Sequence, residues 1–329
     1  MKLAFLFPGQ GSQKVGMGKD LYIKYDEVKK IYKMASEITG IDIATLCFNG
    51  IRKDYKGKDY IDSEETGEDL IKTENTQIAI ATMSLAIIEV LKKNDIKADI
   101  ATGLSLGEYS ALIYGGQLEF EDGIKLLKQR GYLMQNKLPK GNYAMLAVIG
   151  LESSKIEKIC EELNKEGMFI VPANYNYSNQ TVISGDKNAI EKVSEILKEN
   201  GAKKIVELKT NRPFHTKVLE EARKEYIKKL ENVNFKKGNI KVIKNIDGTF
   251  YTNNDNIKEI LAEHIISPVR FDKAIQLMKD KGVDTFAEIG PGKTLTGFVK
   301  KELKDIKTIN IFDVESLEEA IKKLKEKGM

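Results

Sequence analysis

Asp99-Ile100-Ala101-Thr102-Gly103-Leu104-Ser105-Leu106-Gly107-Glu108-Tyr109-Ser110-Ala111-Leu112-Ile113-Tyr114 is the stretch on which the fold turns. Its centre, Gly103 to Gly107, is a G-x-S-x-G pentapeptide. Short apolar residues precede it, as in a buried strand, and a helix-like run rich in Ala and Leu follows. A sharp strand-to-helix turn of this kind needs glycines, because side chains around the serine would clash with the crowded backbone. The turn lifts the hydroxyl clear of the chain, and the helix N-terminus behind it favours a developing anion. A Gly-Ser-Gly turn can also do no more than join two elements. The strand before and the helix after point instead to Ser105 as a nucleophile.

The chain has 329 residues, enough for two domains or one large domain carrying an insert. Hydrophobic residues make up 41% and charged residues 31%, the balance of an ordinary globular protein. Lysine and arginine total 53 against 49 acidic residues, and the net +4 is spread along the chain, so nothing points to nucleic acid. Cys47 and Cys160 are far apart, outside any metal-ligand spacing, and read as buried thiols. Met1 to Gly9 is too short for a signal-peptide core and reads as a first strand. No run reaches the roughly 18 apolar residues of a membrane span. A cytoplasmic protein with no membrane partner is the expectation.

Lys2 to Phe7 is a short apolar strand ending in the glycine-rich loop Pro8-Gly9-Gln10-Gly11-Ser12. A dinucleotide fingerprint fails there, since Lys14 stands where its last glycine belongs. Asp26 to Thr39 reads as a helix, Ile51 to Glu74 as a polar surface loop, and Asn75 as the cap of a buried helix running to Leu91. A further helix spans about Glu119 to Leu138. Its Arg130 borders an apolar stripe, either snorkelling to solvent or fixed as a cation for an anionic ligand. From Asn142 to Thr210 the order is β-α-β-β-α-β, the split βαβ unit of ferredoxin-like domains. After it come a strand at Lys241–Ile246 and a helix at Asn256–Ile265 that carries His264. A helix at Val269–Lys281, a strand at Asp284–Ile289 and an amphipathic tail helix at Leu317–Lys327 complete the chain. Gly290-Pro291-Gly292-Lys293-Thr294 imitates a phosphate loop but lacks its first glycine, for which Ala287 stands.

A serine hydroxyl needs a base, and the chain holds two histidines. His215 follows Pro213-Phe214 in a loop that can present it to a cleft, whereas His264 lies on an apolar helix face. Between Ser105 and His215 the aspartates are Asp122 and Asp186, neither at a strand end. Two solutions stay open: His264 as base with Asp247 behind it, or His215 held by a neutral acceptor such as a backbone carbonyl.

Taken together, these segments resemble the malonyl-CoA:acyl carrier protein transacylases of type II fatty acid synthesis over nearly the whole chain. The motifs are Phe7-Pro8-Gly9-Gln10-Gly11-Ser12-Gln13, Gly103 to Leu112, Gln129-Arg130-Gly131, Asn174-Tyr175-Asn176, Pro213-Phe214-His215, Ser267-Pro268-Val269 and Glu288-Ile289-Gly290-Pro291-Gly292. The resemblance implies an α/β fold, a hydrolase-like core with a mostly parallel sheet plus an inserted ferredoxin-like small subdomain. The core would be residues 1–138 and 211–329, and the insert 139–210. It implies Ser105 as nucleophile, His215 as general base and acid, and Arg130 as clamp for the malonyl carboxylate. The oxyanion hole would be the backbone amides of Gln10 and Leu106. Asn174 and Phe214 would contact substrate, and the carbonyl of His264 would orient His215, leaving the His264 side chain a bystander. Also implied are malonyl-CoA and acyl carrier protein as partners, a monomer, and no metal or redox cofactor. One departure stands out: the family usually carries His before the serine, and here Leu104 does. A discrete malonyl acyltransferase of a polyketide pathway and a serine acyl hydrolase or thioesterase remain alternatives.

Overall fold

In chain order the strands are Leu3–Phe7 (β1), Ile100–Gly103 (β2), Tyr143–Ile149 (β3), Ile170–Tyr177 (β4), Gln180–Asp186 (β5), Lys204–Glu207 (β6), Lys241–Val242 (β7), Val269–Arg270 (β8), Thr285–Ile289 (β9) and Lys307–Ile311 (β10). The structure, a computed structural model, describes residues 1–55 and 68–326. Residues 56–67 of the expected surface loop and Lys327 of the expected tail helix lie outside the described residues.

Five strands form a wholly parallel sheet in the order β10-β9-β1-β2-β7. β1 is buried at every position. Its Leu3, Phe5 and Phe7 enter one core cluster while Ala4 and Leu6 enter another, so the sheet is covered on both faces. The helix Thr73–Lys93, apolar nearly all round, lies in the larger cluster. Parallel strands bring the loops that follow them to one edge, where open α/β sheets bind ligands. Here Phe7 pairs opposite Gly103, so the 8–13 loop and the Ser105 turn emerge side by side.

The second sheet runs β6-β3-β5-β4-β8. Its first four strands are antiparallel in the split βαβ order. Helices Ser153–Lys165 and Lys187–Glu199 cover one face through Ile156, Leu163 and Val193. The other face presents Met145, Ala147 and Val182, with Leu208 and Phe214 packed against them.

Several local expectations are corrected. Val269 does not begin a helix: β8 pairs in parallel with Asn174 and Tyr175, and the helix starts at Phe271. Two residues of strand next to a helix carry no periodic signal, and the pairing that defines them is remote in sequence. Asn75 is no cap; the helix begins at Thr73, and buried Asn75 donates to the Asp69 carbonyl at 3.0 Å. The strand at 241 shortens to β7, followed by an Ile243–Phe250 bridge. Helices Lys19–Lys24 and Ile43–Asn49 escaped the sequence reading altogether. Cys47 and Cys160 are buried free thiols, each pushed up to about 12 by burial. No helix among the described residues is long and apolar enough to cross a membrane.

Candidate active site

Ser105 sits between β2 and the helix Gly107–Gly115 with a left-handed φ of 56°. Such backbone costs a non-glycine residue about 1–3 kcal/mol and persists only when its surroundings hold it. Gly107 shows why no side chain fits: a Cβ there would lie 2.1 Å from the Phe7 carbonyl oxygen. The Leu104 N–H donates to that same carbonyl at 3.0 Å. Asn245 clamps the turn from beyond β7, its Oδ1 accepting from the Ser105 N–H and its Nδ2 donating to the Gly103 carbonyl, both at 2.7 Å. At about 1 kcal/mol net apiece, those two bonds offset much of the strain.

His215 also has positive φ, 58°. Its Nε2 lies 2.8 Å from Ser105 Oγ, and its Nδ1 lies 2.9 Å from the His264 carbonyl oxygen. A carbonyl can only accept, so Nδ1 carries the proton and the Nε2 lone pair faces the serine hydroxyl. Burial holds the His215 pKa well below the ordinary imidazole value, and His264 and Arg130 push the same way. The ring is therefore held neutral, with its Nε2 lone pair free to accept a proton. Of the two solutions left open by the sequence, the geometry takes the carbonyl-held His215. Asp247 instead pairs with Lys244 at a turn, and its side chain is 42% exposed.

Arg130 lies in the helix Phe120–Asn136 and is fully buried, not snorkelling. Gly131 lets that helix approach the Thr73–Lys93 helix: a Cβ there would stand 2.8 Å from Glu74 Cα. The approach brings one guanidinium nitrogen 2.9 Å from Gln77 Oε1, while the other donates to Ser105 Oγ at 3.1 Å. The Tyr109 ring lies beneath, 5.5 Å from the guanidinium carbon. Among the described residues no carboxylate pairs with this cation, and its Nε has no acceptor.

A cleft of about 610 Å³ opens over these groups, lined by Gln10, Ser105, His215, Asn174 and Phe214, with Leu104 beside them. Among the described residues neither the Gln10 nor the Leu106 backbone N–H is engaged by a protein acceptor. Leu106 is the N-cap of the helix behind Ser105. All the predicted site residues thus converge, with Arg130 just beneath the cleft floor. A second cleft, over Gln117 and Lys236–Lys241, contains none of them. Sequence reasoning missed Gln77, Asn245, Glu108 and Asn176, whose buried Oδ1 lacks a partner among the described residues while the residue lines the cleft. Glu108 had a signal, its place in the first turn after the elbow; Asn245 had none. Among the described residues no group of three or more His, Cys, Asp or Glu is placed to hold a metal ion.

Comparison with known proteins matches this chain along its length. A family model described as an acyl transferase domain matches residues 4–323. A malonyl CoA-acyl carrier protein transacylase from Bacillus subtilis (strain 168) is 39% identical over 327 residues, covering 99% of this chain and 98% of that protein. The crystal structure of a malonyl CoA-acyl carrier protein transacylase from Clostridium perfringens superposes with a TM-score of 0.91 at 41% identity, covering 100% of this chain and 98% of that one. A malonyl-transacylase solved in complex with its type II PKS acyl-carrier protein superposes with a TM-score of 0.89 at 31% identity, covering 98% and 100%.

Proposed function

The chain belongs to the acyl transferase family, and on that premise we propose that it transfers a malonyl group from coenzyme A to the phosphopantetheine thiol of acyl carrier protein, supplying fatty acid elongation. The observation that carries this reading is Arg130, a buried guanidinium with no carboxylate partner among the described residues, 3.1 Å from the nucleophile. A planar fork of donors pairs bidentately with a carboxylate, so the cation fits an acyl group ending in one.

In the first half-reaction Ser105 Oγ attacks the thioester carbonyl as His215 Nε2 takes its proton. The oxyanion lies toward the Gln10 and Leu106 N–H groups. Its collapse expels coenzyme A, whose sulfur takes the proton back from His215. In the second, the carrier thiol gives its proton to His215 and attacks malonyl-Ser105, and Oγ leaves with that proton. Exchange between two thiols is redox-neutral, which supports the expectation that no redox cofactor is needed, and His215 with the two N–H groups supplies the base and the oxyanion donors without a metal. Phe214 narrows the pocket against a branched acyl group and Asn174 meets substrate from β4. Residues 139–210 act in this proposal as the small subdomain that walls the cleft with Met145 and Val182. The proposal also comprises a cytoplasmic monomer.

A polyketide carrier is the second reading, favoured by the relative captured with such a carrier. Mass spectrometry of the intact protein after malonyl-CoA treatment tests the proposal. A malonyl mass increase is expected, absent in Ser105→Ala, reduced in Arg130→Ala, and discharged faster by acyl carrier protein than by water. No adduct on the wild type, or discharge mainly by water, overturns it; faster discharge by a polyketide carrier selects the second reading.

A further inference from the structure

Glu108 is fully buried one turn beyond the nucleophile, and the chemistry above makes no use of it. Its Oε1 accepts from the Tyr251 hydroxyl at 2.6 Å and from the Asn245 N–H at 3.3 Å. Asn245 is the residue whose side chain clamps the Ser105 turn. The Glu108 Oε2 lies 2.9 Å from His264 Nδ1, both groups being wholly buried. The oxygen is off the line of an aligned hydrogen bond, so the contact is one of charge and dipole. The His264 ring stacks on His215, centroids 5.1 Å apart and planes inclined by 27°, while the His264 carbonyl holds His215 Nδ1. One carboxylate thus touches both residues that hold the reacting pair.

We propose that Glu108 is the positioning residue of the whole dyad: through Asn245 it sets the Ser105 turn, and through His264 it seats His215 and offsets the imidazolium formed in each half-reaction. The proposal rests on the nucleophile and base roles above. When His215 takes the serine proton, a cation forms in a buried site that already holds Arg130, and such a charge is costly without a counter-ion. The titratable groups around Glu108 are Tyr109 on its own helix, Tyr251 and His264, with Arg130 acting on Tyr109 and His264 and Asp255 on Tyr251. Around His215 they are His264 and Arg130. Glu108 is the carboxylate that touches His264. It opposes the burial that holds His264 below the ordinary imidazole value. The acid sought among aspartates is thus a glutamate, placed one imidazole behind the base, and the His264 side chain is the spacer between them.

The test uses two readouts on the full chain. The first is steady-state transfer from malonyl-CoA. The second is the pH dependence of Ser105 labelling by an alkyl fluorophosphonate, in which an Oγ–P bond forms, fluoride leaves and the serine proton passes to His215. Glu108→Gln keeps the shape and the Tyr251 hydrogen bond but removes the charge. It should lower kcat roughly 10- to 100-fold with little change in KM, slow labelling in parallel, and move the acid limb of labelling to lower pH. Glu108→Asp should recover part of the rate. A Gln variant with wild-type labelling and an unmoved acid limb overturns the proposal. So does a loss that follows only the folded fraction seen by circular dichroism. If Glu108→Gln does not fold, Tyr251→Phe loosens the same carboxylate, and a fall of about threefold to fivefold is expected; unchanged labelling overturns the proposal. Wild-type protein that is phosphonylated at Ser105 yet not malonylated would sink the malonyl reading and leave this one standing.

Discussion

Ser105 Oγ stands 2.8 Å from His215 Nε2, and both residues hold a left-handed backbone, φ 56° and 58°. Among the described residues only two other non-glycine positions, Asp95 and Asp305, do so. Two of these four strained positions thus face each other, and neighbours remote in sequence hold them: Asn245 at one residue, the His264 carbonyl at the other.

The elbow leaves no room behind it. Gly107→Ala would force a Cβ against the Phe7 carbonyl, and the expected cost is about 1–3 kcal/mol or more. Gly297→Ala, in a helix with open space around it, should be neutral or stabilising by up to about 1 kcal/mol. Urea unfolding of both variants checks the contrast; equal effects would mean the close approach is not what the glycine serves.

In the proposed reaction Arg130 is the buried cation that receives the substrate carboxylate. Arg130→Met should abolish preference for malonyl- over acetyl-CoA, at a loss of about 3–5 kcal/mol in the malonyl transition state. The same variant, measured without substrate, should unfold at higher temperature, because an apolar side chain of similar length avoids desolvating a lone charge. Competing acyl donors and calorimetry read the two effects. A variant that is both less stable and unchanged in selectivity would remove the clamp from the mechanism.

His215 and His264 are both held below the ordinary imidazole pKa, chiefly by burial. Their folded pKa values lie below the unfolded value of about 6.5, so below that pH the unfolded chain binds more protons. Stability is then complete above about pH 6.5 and is lost as pH falls toward the folded values, by up to about 1.4 kcal/mol per pH unit for each histidine. Denaturant midpoints at several pH values should show this slope, and His264→Gln should shrink it. A slope identical in the variant would place the acid lability elsewhere.

Leu104 packs beside the second core cluster and lines the cleft next to Ser105. It cannot donate to a substrate carboxylate, so malonyl selectivity should be looser than a histidine would allow. Leu104→His is expected to raise the malonyl-to-acetyl ratio of kcat/KM while leaving Ser105 reactive. An unchanged ratio would show that Arg130 alone sets the preference.

Much of this protein was legible in one dimension. Short-range sterics and periodicity marked the elbow, the helix Asp26–Thr39 to its end residues, and the β-α-β-β-α-β order. With two histidines in the chain, the search for a base was short. What periodicity could not decide was burial of charge. A stripe with an arginine at its edge looks the same whether the guanidinium reaches water or lies under a nucleophile, because that depends on the Thr73–Lys93 helix packed against it. The β8 strand, the Asn245 clamp and the Glu108 contacts depend likewise on pairings across 95, 140 and 137 residues of chain. Local propensity acts over one turn or one strand, and so it marked the Ser105 turn and left the choice between His215 and His264 open. Only packing, which brings distant backbone to within hydrogen-bond range, decided that His215 faces Ser105, what holds the two together, and that the Glu108 carboxylate lies against His264.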